Sequence, residues 1–175
     1  MYTRNLLWLV SLVSAAPLYA ADVPANTPLA PQQVFRYNNH SDPGTLDPQK
    51  VEENTAAQIV LDLFEGLVWM DGEGQVQPAQ AERWEILDGG KRYIFHLRSG
   101  LQWSDGQPLT AEDFVLGWQR AVDPKTASPF AGYLAQAHIN NAAAIVAGKA
   151  DVTSLGVKAT DDRTLEVTLE QPVPW

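Results

Sequence analysis

The chain contains no cysteine. Disulfides therefore contribute nothing to its stability, a thiolate zinc site is excluded, and no lipid can be attached through an N-terminal cysteine. Histidine is scarce as well. The three present, His40, His96 and His138, are far apart, and none falls at the His-x-x-Glu-His or similar spacing that metal ligation uses. No G-x-S-x-G elbow, phosphate-cradling glycine loop or dinucleotide fingerprint occurs, so neither metal nor cofactor is expected. Cations are in the minority. Twelve Lys and Arg stand against 21 Asp and Glu, a formal charge of −9, and no basic run appears. Nucleic acid and anionic lipid both demand clustered cations and are excluded as partners. Beyond the first 20 residues no apolar run is long enough to cross a bilayer.

What is present begins with residues 1–20. Arg4 precedes an apolar run from Leu6 to Val13, Pro17 breaks it, and Ala20 supplies a small residue at the boundary. That is the pattern of a secretory signal peptide, too short for a comfortable membrane span. Its removal takes one cation with it and leaves the exported remainder slightly more acidic. The roughly 155 residues that follow are enough for one ordinary domain with a real core.

Turn and periodicity signals then organise the chain. Ala21 to Gln33 is rich in Pro and Ala and reads as an extended lead-in, and Val34–Asn39 reads as a first strand ended by the Asp42-Pro43-Gly44 turn. Asn54 is the expected N-cap of a helix whose apolar positions are Ile59, Val60, Leu63, Phe64 and Leu67. Leu67–Met70 and Gln80–Ile86 read as strands, separated by turn residues, and suggest an antiparallel meander. Further on, Phe130, Tyr133 and Leu134 mark one short helix and Ala142–Val146 another, ended near Gly148. Gly156–Thr160, the Asp161-Asp162-Arg163 turn and Leu165–Leu169 read as a hairpin. The mixture indicates an α+β fold.

The most informative stretch is Lys91–Pro124. Tyr93, Phe95 and Leu97 alternate with Ile94, His96 and Arg98, the period of a strand with one aromatic face. Ser104-Asp105-Gly106 and Pro108 make a turn. Thr110-Ala111-Glu112-Asp113 is a near capping box with Asp in the place of Glu or Gln. Phe114, Trp118 and Val122 form the expected buried stripe of the helix, with Leu116 and Ala121 beside it, and Asp123-Pro124 stops it. Trp69, Trp84, Trp103 and Trp118 all fall at spacings that place them in the core. Asp105 is expected to cap its own turn rather than to act as a catalytic carboxylate.

This stretch resembles the substrate-binding proteins of bacterial ABC importers for oligopeptides and dipeptides, solute-binding protein family 5. The residues that carry the likeness are Tyr93 to Arg98 (YIFHLR) and Trp103 to Val115 (WSDGQPLTAEDFV). Ser41–Lys50, Asp62–Leu67, Ala81–Trp84, Val122–Pro129 and Gly156–Leu169 support it, in order, from about Phe35 to the last residue. The resemblance implies part of a two-lobed periplasmic-binding-protein-like fold, mostly the smaller lobe with antiparallel strands and short helices. On that division residues 1–20 are the signal peptide, 21–64 open the large ligand-binding lobe, and 65–175 form the smaller lobe, incomplete at its C-terminal end. Family members are much longer, and the chain is expected to be an N-terminal fragment of one.

The same resemblance implies a function. The protein is expected to be a binding protein rather than an enzyme, held free in the periplasm of a Gram-negative cell. It would be a monomer that captures short peptides and delivers them to an inner-membrane ABC permease complex. The family's cleft-lining stretch maps to Glu52, Glu53 and Asn54, where main-chain groups pair with the peptide backbone. Phe130 stands where the family commonly has Tyr and would keep an aromatic contact. Two alternatives stay open: a receptor for cell-wall (murein) peptides, and a secreted hydrolase using acidic residues such as Asp105 and Glu112.

Overall fold

The computed structural model of the protein describes Pro28, residues 31–32 and residues 34–173, so the expected signal peptide lies outside the described residues. Contacts divide the chain into two units, Met1–Asn38 and Asn39–Trp175. In the first, the described residues form neither helix nor strand, and the rings of Phe35 and Tyr37 stack with centroids 6.0 Å apart. The strand expected over Val34–Asn39 does not form. No strand among the described residues pairs with it, and Val34, Phe35 and Tyr37 remain exposed. Strand propensity yields a strand only where a neighbour completes the ladder of hydrogen bonds.

The second unit holds the regular structure. In chain order it consists of helix α1 (Asn54–Leu63), strands β1 (Val68–Met70), β2 (Val76–Pro78), β3 (Ala81–Leu87) and β4 (Arg92–Leu97), and helices α2 (Ala111–Val122), α3 (Ala131–Gln136) and α4 (Ala142–Val146). A 3-10 turn at Val152–Ser154 precedes β5 (Val157–Asp161) and β6 (Thr164–Thr168). β1 and β2 form a separate two-stranded ribbon, and β2 carries no strand signal in the sequence. The main sheet is antiparallel with strand order β3-β4-β6-β5. It is not a simple meander: two hairpins, β3–β4 and β5–β6, are joined edge to edge with the helices inserted between them. The α+β expectation holds.

Alternation along β4 and β6 builds the core. Leu97, Leu165 and Val167 point to one side and are almost wholly buried, and Phe95 lies opposite both Trp84 and Leu165. α2 covers this face. Its capping box forms as expected: the Asp113 carboxylate accepts the Thr110 backbone N–H at 2.7 Å and the Thr110 hydroxyl at 3.0 Å. The buried positions of α2 are Ala111, Val115, Ala121 and Val122, with Phe114 and Trp118 half-buried against them. Leu116 corrects the expected stripe. It is 56% exposed, because at 100° per residue it turns away from Val115 toward solvent.

The hairpin β5–β6 is tied to the segment just before α4 by a close backbone approach. Gly156 N–H donates to the Asn140 carbonyl at 2.9 Å, Asn140 N–H to the Thr168 carbonyl at 3.0 Å, and Thr168 N–H to the Gly156 carbonyl at 2.8 Å. A Cβ at Gly156 would lie 2.6 Å from Asn140 Cβ and 2.7 Å from the Thr168 oxygen. Only glycine fits.

Three further expectations are corrected. Asn54 is the first residue of α1 and Glu53 is its N-cap, without a side-chain capping bond. Of the helix's expected apolar face, Leu63 and Phe64 are exposed, and its one buried residue is Ala56. Trp69 and Trp103 are 55% and 41% exposed. The first sits on the short β1–β2 ribbon and the second enters the Asp105 turn, and neither place is roofed by another element among the described residues.

Candidate functional site

Glu52, Glu53 and Asn54 close a loop that begins at Ser41. The hydroxyls of Ser41 and Thr55 meet at 3.5 Å across its neck. A Cβ placed on Gly44 would fall 2.8 Å from Glu53 Oε1, so the absence of a side chain there lets the Glu53 carboxylate fold back over the loop. Val51, 4% exposed, and Ala56 are buried at the neck. Glu52, Glu53 and Asn54 themselves remain exposed. The first backbone bond of α1 runs from the Ala57 N–H to the Glu53 carbonyl at 2.9 Å.

The tip of this loop is held by α2. Arg120, in the last turn of α2, grips Asp47 with both terminal nitrogens, at 2.9 and 2.6 Å to the two carboxylate oxygens. The same guanidinium donates to Gln49 Oε1 at 2.6 Å, and Gln49 Nε2 donates to the Gly117 carbonyl. Asp47 also orders its own turn, accepting the Gln49 N–H on Oδ1 at 3.1 Å and the Lys50 N–H on its carbonyl at 2.9 Å. The hydrogen bond from Arg120, assisted by that of the Gln49 N–H, lowers the Asp47 carboxyl to about 2. The same hydrogen bond, helped by the Asp47 charge, raises the already high Arg120 value. A planar fork on a carboxylate is directional as well as charged, so it fixes the loop's orientation on the helix.

Phe130 lies elsewhere in the unit, immediately before α3. The Ser128 hydroxyl accepts its N–H at 3.2 Å, an ST turn that starts the helix, and its ring stacks on Tyr133 with centroids 6.0 Å apart. Phe130 is half-buried, whereas Tyr133, expected among the packed positions, is 63% exposed. No hydrogen bond or ring contact joins Phe130 to Glu52–Asn54 among the described residues. The two parts of the expected site therefore stand on separate elements.

A cleft of about 410 Å³ opens between the end of α1 and the Trp103 turn, lined by Leu63, Phe64, Gln80, Trp103, Leu109 and Phe114. Its lining is largely apolar. The nearby Asp105 spends its carboxylate on the Gln107 N–H at 2.9 Å, as its turn position implies. His96 Nε2 lies 2.8 Å from Glu85 Oε1 on the exposed sheet face, and this contact, followed by that of Arg83, lowers the Glu85 carboxyl. Among the described residues no cluster of three or more His, Asp or Glu could hold a metal ion, and no helix is long and apolar enough to cross a membrane.

The profile of the bacterial extracellular solute-binding proteins, family 5 Middle, matches residues 75–175, which include the β3–β4 hairpin, the Trp103 turn, α2 and Phe130. The chain belongs to this family. Among its relatives, the periplasmic oligopeptide-binding protein OppA of Salmonella typhimurium is 51% identical over 95% of this chain and 31% of that protein. The periplasmic murein peptide-binding protein MppA of Escherichia coli is 46% identical over 95% of this chain and 30% of that protein. The crystal structure of Haemophilus influenzae OppA in complex with the peptide RPPGFSPFR superposes with a TM-score of 0.74 at 45% identity, over 78% of this chain and 27% of that one. The chain thus spans about a third of the length of the curated relatives it matches. The family 5 fold extends through the mixed helices and antiparallel sheet described above.

Proposed function

We propose that this chain forms part of a family 5 solute-binding protein that captures short peptides in the periplasm and hands them to an inner-membrane ABC permease. The observation that carries the reading is the match to the Salmonella oligopeptide-binding protein, 51% identical over 167 residues that take in the loop at Glu52–Asn54 as well as Phe130. In this reading the exposed backbone of Glu52, Glu53 and Asn54 offers N–H and C=O groups to a peptide laid alongside as a strand, which makes recognition tolerant of side-chain identity. Phe130 supplies an aromatic wall. The protein works by binding and release rather than by turnover, as a monomer, after export and removal of the leader near Ala20. Asp105, committed to its own turn, fits that reading better than a hydrolase.

A murein peptide is the second reading of the cargo, supported by the 46% identity to the murein peptide-binding protein of Escherichia coli. The test is a chimera in which this chain replaces the corresponding third of Salmonella OppA, titrated calorimetrically with tri- to pentapeptides and with murein tripeptide. Saturable binding without peptide cleavage is expected. A folded chimera that binds neither ligand, or that hydrolyses them, overturns the proposal.

A further inference from the structure

The loop that carries Glu52–Asn54 has Val51 and Ala56 buried at its neck and is tied to α2 by one cluster. Its neck is closed by a long 3.5 Å contact between two hydroxyls, and the three residues themselves are exposed. Its tip, by contrast, is bonded to α2 through three short donor–acceptor contacts from one side chain, Arg120 to Asp47 Oδ1, Asp47 Oδ2 and Gln49 Oε1. The return bond from Gln49 to the Gly117 carbonyl closes the arrangement from the other direction. These contacts bridge 68 to 73 residues of sequence. They couple a candidate ligand-contacting segment to a helix that is itself seated on the main sheet.

We propose that Arg120 is the positioning residue of the ligand-contacting loop: by clasping Asp47 and Gln49 it fixes the backbone of Glu52–Asn54 on α2 in the form that accepts a peptide. The inference rests on the peptide-binding reading given above. Arg120 touches no ligand in this scheme. It acts by keeping the competent loop dominant in the free protein, so that ligand binding need not order it. Where only a fraction of molecules holds the competent form, apparent affinity falls by that fraction. The requirement is for a planar, two-pronged donor, and a lysine keeps the charge but cannot span both carboxylate oxygens and Gln49.

The test compares Arg120→Gln, Arg120→Lys and the exchanged pair Asp47→Arg with Arg120→Asp. In the 175-residue chain, amide exchange is followed at Gln49, Lys50 and Ala57, whose N–H groups bond within the loop and its neck. In the OppA chimera, peptide affinity is measured by calorimetry. Arg120→Gln is expected to speed exchange at those amides and to weaken peptide binding about fivefold, the upper range for a half-exposed ion pair. Amides of the sheet, such as Leu97 and Leu169, stay as protected as before. Arg120→Lys restores neither property fully, and the exchanged pair recovers part of both. Unchanged loop exchange together with unchanged affinity in a chimera whose parent binds peptide overturns the inference. So does uniform loss of protection across the sheet, which assigns Arg120 to general stability. A parent chimera that binds no peptide refutes the functional reading instead, and amide exchange in the chain then decides the clasp alone.

Discussion

Replacing Asp47 by Asn removes one charge while leaving a side-chain oxygen that can still accept the Gln49 N–H, so it isolates the ion pair with Arg120. The carboxyl falls from an ordinary 3.8 to about 2 in the folded protein, chiefly through the hydrogen bond from Arg120. Taken alone, that difference corresponds to about 2.5 kcal/mol of stability. The Arg120 side chain is 46% exposed and that of Asp47 26%, so water and salt screen the pair, and about 1 kcal/mol is the realistic contribution. The sign follows from the direction of the shift. A depressed folded value means the contribution is complete above the unfolded value of 3.8 and disappears as pH falls through about 2. Urea unfolding followed by tryptophan fluorescence, at pH 7, 5, 3 and 2, gives the difference between wild type and Asp47→Asn. Asp71, Glu85, Asp151 and Asp161, whose carboxyls are also lowered, titrate alike in both proteins and cancel. The expected difference is about 1 kcal/mol at pH 7 and close to zero at pH 2. A difference that persists undiminished at pH 2 would show that Asn acts through geometry rather than charge, and the electrostatic account would fail.

Gly156→Ala is expected to cost about 2 kcal/mol, because its Cβ would meet Asn140 and the Thr168 carbonyl and the backbone there cannot yield; denaturant titration checks it, and a loss below about 0.5 kcal/mol contradicts the packing. Leu165→Ala, at a wholly buried position between Phe95 and Ala159, should cost about 3 kcal/mol, while Leu116→Ser on the exposed side of α2 stays within about 0.5 kcal/mol. For the chimera, Phe130→Ala is expected to weaken peptide binding about fivefold and Phe130→Tyr to change it by less than about twofold, measured by calorimetry; equal affinities for all three would remove Phe130 from the site. The 175-residue chain by itself should bind the same peptides at least about tenfold more weakly than the chimera, since one surface alone excludes less water than a closed cleft.

Features that depend on neighbours in sequence could be read in advance. The capping box at Thr110–Asp113, the turn at Asp105, α4 and the β5–β6 hairpin all follow from contacts a few residues apart. The family itself was legible in the run from Tyr93 to Val115. What could not be read depends on partners far along the chain. Val34–Asn39 has strand composition, yet no described strand accepts it. Trp69 and Trp103 have core composition, yet stand on a short ribbon and a turn that expose them. The Asp47–Arg120 clasp left no signal, because nothing local distinguishes an Asp beside a proline, or an Arg in a helix's last turn, from any surface charge.

The seam between the two hairpins has a kinetic consequence. β3 and β4 meet through a four-residue turn at once, but the sheet's centre requires β4 to find β6, and the bonds from Arg163 to the Leu97 carbonyl span 66 residues. Closing so long a loop costs entropy before any contact rewards it, which places such pairing late and makes it slow. Until β6 arrives, the aromatic face of Tyr93 and Phe95 has only half its sheet and no helix lid. The unpaired edge of β4 is therefore the stretch at risk of joining another chain in the nascent protein. Substitutions in β3, whose local pairing is already made when the barrier is crossed, should slow folding, whereas those at the late β4–β6 seam should act mainly on unfolding.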